Sequence, residues 1–161
     1  MPNVAMRLFF KGIIIMTAGL SIATALGAEP ALTIVNPPAL GDPTPNGYST
    51  VVIVPAGARI AYISGQGGHD STGRLSADFA DQVGQAYANL GAALQAIGAK
   101  PEHVAKLTVY VVDHDMSKLG VLTQSVTEMF GATLPAQTLV PVPKLAVDSM
   151  LFEVEATVVL E

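Results

Sequence analysis

The sequence predicts an α+β domain: a mixed sheet of about six strands with two helices on one of its faces. Short runs of β-branched and apolar residues indicate the strands, and two segments with apolar residues at every third or fourth position indicate the helices. Two helices are too few to cover both faces of such a sheet, so we expect them to share one face. Long apolar strands without a third helix indicate that the other face is buried against another subunit.

The first 28 residues have the pattern of a secretory signal peptide. Arg7 and Lys11 form a short basic opening, and an uncharged apolar run, shorter than a bilayer span, follows at 12–26. A signal peptidase recognises small residues at two positions before its cleavage site. Two pairs fit, Ala23/Ala25 and Ala25/Gly27. Cleavage predicts an exported protein, periplasmic or secreted, that no longer contacts the membrane. An uncleaved membrane anchor is the alternative.

The remaining chain, roughly 133 residues, is long enough for one domain with its own core. It is acidic. The whole chain has eight Lys and Arg against thirteen Asp and Glu, and two of those basic residues, Arg7 and Lys11, lie in the predicted signal peptide. Nucleic acids and anionic membranes are bound by clustered basic charge, so neither is an expected partner. The chain has no cysteine, which excludes disulfides, thiol nucleophiles and cysteine-ligated metal sites.

The N-terminal part of the mature chain, residues 29–47, is a Pro- and Gly-rich lead-in that contains "NPPALGDPTPNG". Such a composition favours an extended and non-helical segment, with one brief strand at Leu32–Val35. The domain itself is predicted at 48–161. It opens with two β-branched runs, "YSTVVIV" and "RIAYIS", and the turn residues "PAGA" between them predict a β-hairpin.

The first helix is predicted at Ser76–Ala99, with Ser76 as its N-cap and Gly98 at its C-terminal stop. A second amphipathic helix is predicted from about Met116 to Phe130, and Gly131 ends it. Three more strands complete the domain, at Lys106–Val112, Gln137–Val142 and Leu151–Leu160.

The last strand, "LFEVEATVVL", carries its charges on one face. Because strand side chains alternate, Glu153 and Glu155 share a side with Thr157, whereas Phe152 and Val154 point the other way. The two carboxylates lie about 7 Å apart along the strand. A solvent-facing edge explains this pattern. A general base, or a carboxylate that orients a water at a subunit boundary, is the functional alternative.

The segment Ser64–Gly73, "SGQGGHDSTG", is a glycine-rich loop between a strand and a helix. It lacks the Lys-Ser/Thr of a P-loop and the Rossmann spacing, so a tight turn is favoured over a phosphate site. The histidines, His69, His103 and His114, have no metal-binding spacing, so solvated loop residues are favoured over ligands. We therefore expect no metal and no other cofactor. No Gly-x-Ser-x-Gly elbow supports a serine hydrolase.

Four motifs, in order and at the right spacing, resemble the RidA (YjgF) family: "NGYS", "ISGQ", "LPA-x-T" and "FEVEA". The resemblance covers about Asn36 to Leu160. It implies a chorismate-mutase-like subunit and a homotrimer whose clefts, between subunits, bind a small-molecule ligand. Family members of known activity hydrolyse reactive imines and enamines, which arise from amino acids, to keto acids and ammonia.

The resemblance also implies roles for individual residues. A glutamate of the last strand positions the attacking water, and it corresponds to Glu153. The cleft is lined by a tyrosine, a glycine and the backbone after the substrate-binding arginine, which correspond to Tyr48, Gly65 and Thr138. That arginine, which holds the substrate carboxylate, corresponds to Gln137 in this chain.

The exchange of arginine for Gln137 changes the chemistry of the cleft. An Arg fork forms two charge-assisted hydrogen bonds with a carboxylate, whereas an amide offers neutral ones of roughly half the strength. The loss costs on the order of 2 to 4 kcal/mol of affinity for an anionic substrate. Two functions fit: an imine or enamine deaminase with altered activity, or an exported ligand-binding or chaperone-like trimer without turnover.

Overall fold

The computed structural model describes residues 32–160, and within them it contains six strands and two α-helices. Their bounds are β1 Thr33–Val35, β2 Val51–Ile53, β3 Arg59–Gly67, α1 Phe79–Ala96, β4 Val104–Val112, α2 Leu119–Phe130, β5 Ala136–Val142 and β6 Phe152–Leu160. The predicted α+β class is confirmed. No helix in this part of the chain is long and apolar enough to span a bilayer. The predicted signal peptide, at 1–28, lies outside the described residues, and export stays a prediction.

Four strands form the main mixed sheet in the order β3-β6-β4-β5, with β4 and β5 parallel and the other pairs antiparallel. β1 and β2 form a separate antiparallel pair. The predicted hairpin is therefore wrong, since β2 pairs with β1 and β3 pairs with β6. The reason is tertiary: a bridge from Ser49 to Ala136 holds the start of this segment at the β5 edge, and β3 forms the opposite edge.

The core lies between one face of the sheet and both helices, as predicted. Phe152 of β6 is fully buried at its centre, stacked on Tyr87 at 5.9 Å and edge-on to Phe79 at 6.3 Å. The other core residues include Val83, Ala86, Leu90 and Leu94 of α1, Leu122, Val126 and Phe130 of α2, and Leu107, Val109 and Val111 of β4. Burial of each large apolar side chain contributes about 1.5 to 3 kcal/mol, which ties the helices to this face.

The helix ends differ from the prediction at their N-termini. The N-cap of α1 is Asp78, whose side chain accepts a hydrogen bond from the backbone N–H of Asp81 at 3.0 Å. Ser76 instead accepts from the N–H of Asp78, so its predicted role as N-cap is wrong. A 3-10 turn at Met116–Lys118 precedes α2. Two further 3-10 turns interrupt the lead-in, at Pro38–Leu40 and Thr44–Asn46, so this segment is not purely extended.

The C-terminal ends of the helices agree with the prediction. Gly98 follows α1 with φ 70°, and Gly131 caps α2 with φ 54°. Backbone with positive φ is strained for residues that carry a Cβ, so glycine is required at both stops.

Within residues 32–160, no helix covers the other face of the main sheet, and we call this face the uncovered face. Its side chains alternate with those of the core and are partly buried or exposed; they include Tyr62, Lys106, Thr108, Tyr110, Glu153, Glu155 and Thr157. Tyr62 is 81% exposed in the single chain. The predicted division of the last strand into an apolar and a charged side is confirmed.

Candidate functional site

Three of the predicted site residues line one cleft at the β5 edge of the sheet. Tyr48, Gln137 and Thr138 border a space of about 430 Å³, together with Asn46, Leu119, Thr123 and Leu139. Small-molecule sites usually enclose about 300 to 1,000 Å³, so the cleft is large enough for a small ligand. None of these residues is charged, so recognition by this part of the site depends on neutral hydrogen bonds and apolar contacts.

The position of Tyr48 follows from its neighbours in the "NGYS" motif. The Ser49 hydroxyl donates to the carbonyl of Leu134 at 2.7 Å, and the Ser49 N–H donates to that of Pro135 at 2.9 Å. Gly47 has φ 81°, which lets the chain turn sharply before Tyr48. The "NGYS" and "LPA-x-T" motifs, far apart in sequence, are therefore one structural unit.

Gln137 presents a buried acceptor at this cleft. Its partner in β4 is the fully buried Leu107, so its side chain points to the helix side, whereas Thr138, opposite Thr108, points to the uncovered face. The Gln137 Oε1 atom is buried and accepts no hydrogen bond from any residue in the range 32–160. An unsatisfied buried acceptor costs about 1 to 3 kcal/mol, so a donor brought by a ligand stabilises the site.

Glu153 and Gly65, the other two predicted residues, are in contact on β6 and β3. A Cβ atom on Gly65 would lie 1.6 Å from Glu153 Oε1 and 2.5 Å from its Cδ. The register of β3 shifts between Ile63 and Gln66, so Gly65 lies in an irregular part of the strand. A Cβ at this position would force the flexible Glu153 side chain to move, so glycine allows the carboxylate to keep its position.

The prediction of a tight turn for the glycine-rich segment is correct only at its end. β3 continues through Gly67, and Cβ atoms on Gly67 and Gly68 would meet Met150 at 2.5 Å and the Gln82 backbone at 2.6 Å. Close packing therefore explains these glycines, and Gly73, with φ 81°, makes the turn. A glycine-rich pattern predicts a turn from local sequence alone. The packing that explains Gly67 and Gly68 involves residues distant in sequence, which a local pattern does not include.

Asp70 organises that turn. Its carboxylate accepts hydrogen bonds from the Thr72 hydroxyl at 2.7 Å and from the backbone N–H groups of Thr72 and Arg74. These bonds hold the pKa of Asp70 well below its usual range, and the bond from the Thr72 hydroxyl has the largest effect. The neighbouring His69 thus adjoins a structural carboxylate. Among the described residues, no three His, Asp or Glu side chains lie close enough together to hold a metal ion.

Two more polar residues of the uncovered face lie beside the predicted site. The Tyr110 hydroxyl donates to Glu155 Oε1 at 3.2 Å. Desolvation, and after it the charges of Glu155 and Glu153, raise the pKa of this phenol. Lys106 donates from Nζ to Thr138 Oγ1, and partial burial lowers the pKa of its ammonium group. The alternation in "KLTVYVV" was the signal that would have placed Lys106 and Tyr110 on this face.

Within one chain, the predicted residues form two separate clusters. Gln137 lies on the edge strand β5 and points to the helix side. Glu153 lies on β6, beyond β4, and points to the uncovered face. One chain therefore does not bring the amide and the carboxylate together, and a site that uses both requires two chains.

The chain forms an α+β subunit with a polar uncovered face and a cleft at the edge of its sheet. The model of the family described as endoribonuclease L-PSP matches residues 42–160. A RutC family protein of Pyrococcus horikoshii is 36% identical over 97 residues, which are 59% of this chain and 75% of the relative. The chain therefore belongs to the RidA (YjgF) family, as its motifs predict.

Solved structures agree. YyfB, a Rid-family protein of Yersinia pestis, is 32% identical and superimposes with a TM-score of 0.77, over 81% of this chain and 99% of its own. TdcF of E. coli, solved with bound serine, is 27% identical with a TM-score of 0.57, over 67% of this chain and 85% of its own. The chorismate-mutase-like subunit predicted from the family resemblance is thereby confirmed.

Proposed function

We propose that this protein is a Rid-type imine and enamine hydrolase that acts as a homotrimer. In the reaction, water adds to the C=N carbon and ammonia leaves, so that an imine R₂C=NH and water become a ketone R₂C=O and NH₃. The buried, unpartnered Oε1 of Gln137 is the observation that carries the proposal. An imine N–H is a donor of the kind that this oxygen lacks, and the cleft is of the size of a small substrate.

The chemical step requires a base, and Glu153 supplies it. Its carboxylate, on the uncovered face of one chain, takes a proton from the attacking water and returns one to the departing nitrogen. Gly65 leaves room for that carboxylate, since any larger residue would collide with it. Gln137 and Tyr48 of a neighbouring chain hold the substrate against it. The uncovered face provides the surface on which the chains meet.

Binding without turnover is the second candidate. It is supported by TdcF, a similar protein whose structure contains bound serine. The uncharged lining of the cleft also favours recognition over catalysis, because no group that borders it can act as a base at neutral pH. Cleavage of RNA, in contrast, has no support from a chain of net charge −5, because RNA is bound mainly by clustered basic residues.

The proposal is tested with imines released in situ from neutral amines and from amino acids by an oxidase, with ammonia and the carbonyl product measured. Wild-type protein should accelerate hydrolysis, and Glu153→Gln should lower the rate about 10² to 10⁴-fold. Glu155→Gln is the matched control, since Glu155 lies on the same strand and face and binds Tyr110 instead.

Light scattering on the same samples should show three times the mass of one chain. Failure of the wild-type protein to hydrolyse any imine, with ligand binding intact, would favour the second candidate. A monomer would remove both, because neither cluster is a complete site by itself.

A further inference from the structure

The cleft at the β5 edge has no group that balances a negative charge on a ligand. Its seven lining residues are all uncharged: Asn46, Tyr48, Leu119, Thr123, Gln137, Thr138 and Leu139. A carboxylate that moves from water into such a space loses its hydration and gains only neutral hydrogen bonds in return. An anionic ligand is therefore the kind that this cleft accommodates least well.

The wall of the cleft on the helix side favours a different ligand. Gln137 and Leu139 are the partners of Leu107 and Val109, which are buried in β4, so both side chains point to the helix side. The unpartnered Oε1 of Gln137 is an acceptor, which attracts an N–H donor and repels the oxygens of a carboxylate. Leu139 adds apolar contact. This wall fits a ligand that has an N–H group and an apolar substituent.

The part of the site that a neighbouring chain supplies in the proposed trimer is negative. Glu153 and Glu155 lie about 7 Å apart on the uncovered face. Desolvation, the charge of Glu155 and, to a smaller extent, the charge of Glu153 raise the pKa of the Tyr110 phenol, so both carboxylates act at one place. A ligand between the two parts meets carboxylates on one side and a neutral wall on the other.

Lys106 does not offset this negative charge where the reaction takes place. It precedes Tyr110 by four residues on the same face of β4 and is therefore about 13 Å away along the strand. Tyr110, in turn, is the direct partner of Glu153 in β6. Within its own chain, the Lys106 ammonium group donates to Thr138 on the uncovered face, whereas Gln137 points to the helix side.

We infer that the substrates of this site are imines without a carboxylate, such as those formed by oxidation of simple amines, and that they bind as protonated iminium ions. The inference rests on the proposed function and names its substrate class, which differs from the amino-acid-derived imines that the family resemblance implies. An iminium N–H forms a charge-assisted hydrogen bond, which is roughly twice as strong as a neutral one.

Protonation of the nitrogen also makes the adjacent carbon more reactive towards water. The overall reaction is then R₂C=NH₂⁺ + H₂O → R₂C=O + NH₄⁺. Glu153 takes a proton from the water as its oxygen bonds to the carbon, and it returns a proton to the nitrogen as the C–N bond breaks. Both protons of the water end on nitrogen, so no oxidant or reductant is needed.

Three probes of nearly the same shape and different charge test this inference without turnover: benzamidine, a cation, benzamide, which is neutral, and benzoate, an anion. Wild-type protein at neutral pH should bind them in that order, with benzamidine at least about tenfold tighter than benzoate. Titrations followed by NMR suit the weak affinities of such small ligands. Because the order is measured on wild-type protein, the test does not depend on the folding of a variant.

Two variants assign the preference to residues. Gln137→Met removes the acceptor and keeps a flexible side chain, so it should weaken benzamidine and benzamide binding about three- to tenfold and leave benzoate binding unchanged. Glu153→Gln removes a negative charge from the other part of the site and should weaken benzamidine binding alone. Gln124→Met, on the exposed side of α2, is the matched control and should change none of the three affinities.

Benzoate that binds wild-type protein as tightly as benzamidine overturns the inference, as does equal weakening of all three probes by Gln137→Met or wild-type protein that binds none of them. The proposed function is tested separately by kinetics. Glu153-dependent hydrolysis that is as fast for imines of amino acids as for imines of the corresponding amines rejects the inference alone. The expected order of affinities in a protein that hydrolyses no imine upholds the ligand class and rejects catalysis.

Discussion

The two clusters of this site differ in charge and in packing. The first, at the β5 edge around Gln137, is neutral and leaves a buried oxygen without a partner. The second, around Glu153 on the uncovered face, has two carboxylates and a tyrosine hydroxyl, and its glycine is packed tightly against a carboxylate. In the first cluster the structure leaves space for a ligand, whereas in the second the carboxylate of Glu153 fills the space beside Gly65.

The proposed site consists of these two clusters, and a substitution in one of them need not affect the other. Groups that only bind a ligand tolerate substitution, because neighbouring residues can supply other contacts. In the proposed reaction, a carboxylate that activates water tolerates little displacement or substitution, because its position relative to the reacting carbon determines the rate. Substitutions in the Glu153 cluster should therefore affect turnover, and substitutions in the Gln137 cluster should affect affinity.

After Glu153→Gln itself, the largest effect is expected for Gly65→Ala. The new Cβ would lie 1.6 Å from Glu153 Oε1, so the carboxylate must rotate away from its position. We expect the rate of imine hydrolysis to fall about 100-fold or more, with little loss of stability, since a partly exposed side chain can move. Steady-state kinetics and thermal unfolding measure the two quantities.

Gly84→Ala is the control, because a Cβ at Gly84 meets no atom within 4 Å. It should retain full activity and equal or higher stability, since alanine favours a helix more than glycine does. Activity of Gly65→Ala at the wild-type level would show that Glu153 does not act from the position seen here.

A smaller effect, in the opposite direction, is expected for Gln137→Arg. A guanidinium group in the cleft adds a bidentate partner for carboxylates, so the affinity for pyruvate, measured by calorimetry, should rise about 10 to 100-fold. Gln124→Arg adds the same charge on the exposed side of α2 and should have no effect. An unchanged affinity in Gln137→Arg would show that residue 137 does not face the ligand.

The smallest effect is expected for Tyr110→Phe and appears in the pH dependence of stability. The pKa of Tyr110 is raised in the folded state, so above its ordinary value of about 10 the unfolded chain releases a proton that the folded chain retains. The free energy of unfolding of wild type should therefore fall as the pH rises from about 9 to 11. It should fall less steeply in the variant.

Urea denaturation at several pH values measures this slope. Burial also raises the pKa of Tyr87, so only the difference between wild type and variant reports on Tyr110. Glu155→Gln removes the acceptor of the Tyr110 hydroxyl and should reduce the slope in the same direction. Parallel curves for wild type and both variants would mean that Tyr110 and Glu155 do not interact in solution.

Much of the fold could be predicted from local patterns. Apolar spacing identified both helices, and Gly98 and Gly131 identified their C-terminal ends. Strict alternation in the last strand separated Phe152 from Glu153 correctly, because side-chain direction in a strand follows from backbone geometry alone. Family motifs, in turn, identified residues that the structure places in two clusters.

Other features were decided by contacts between distant segments. Strand propensity alone does not specify a partner, so the β1–β2 pair and the β3–β6 pair depended on Ser49 and on burial of the core. The use of Gly65 as space for Glu153, and the reach of Lys106 to Thr138, are likewise visible only after folding. Sequence thus determined which residue types this protein has for chemistry, whereas their grouping into a neutral cleft and a charged face arose from packing across the sheet.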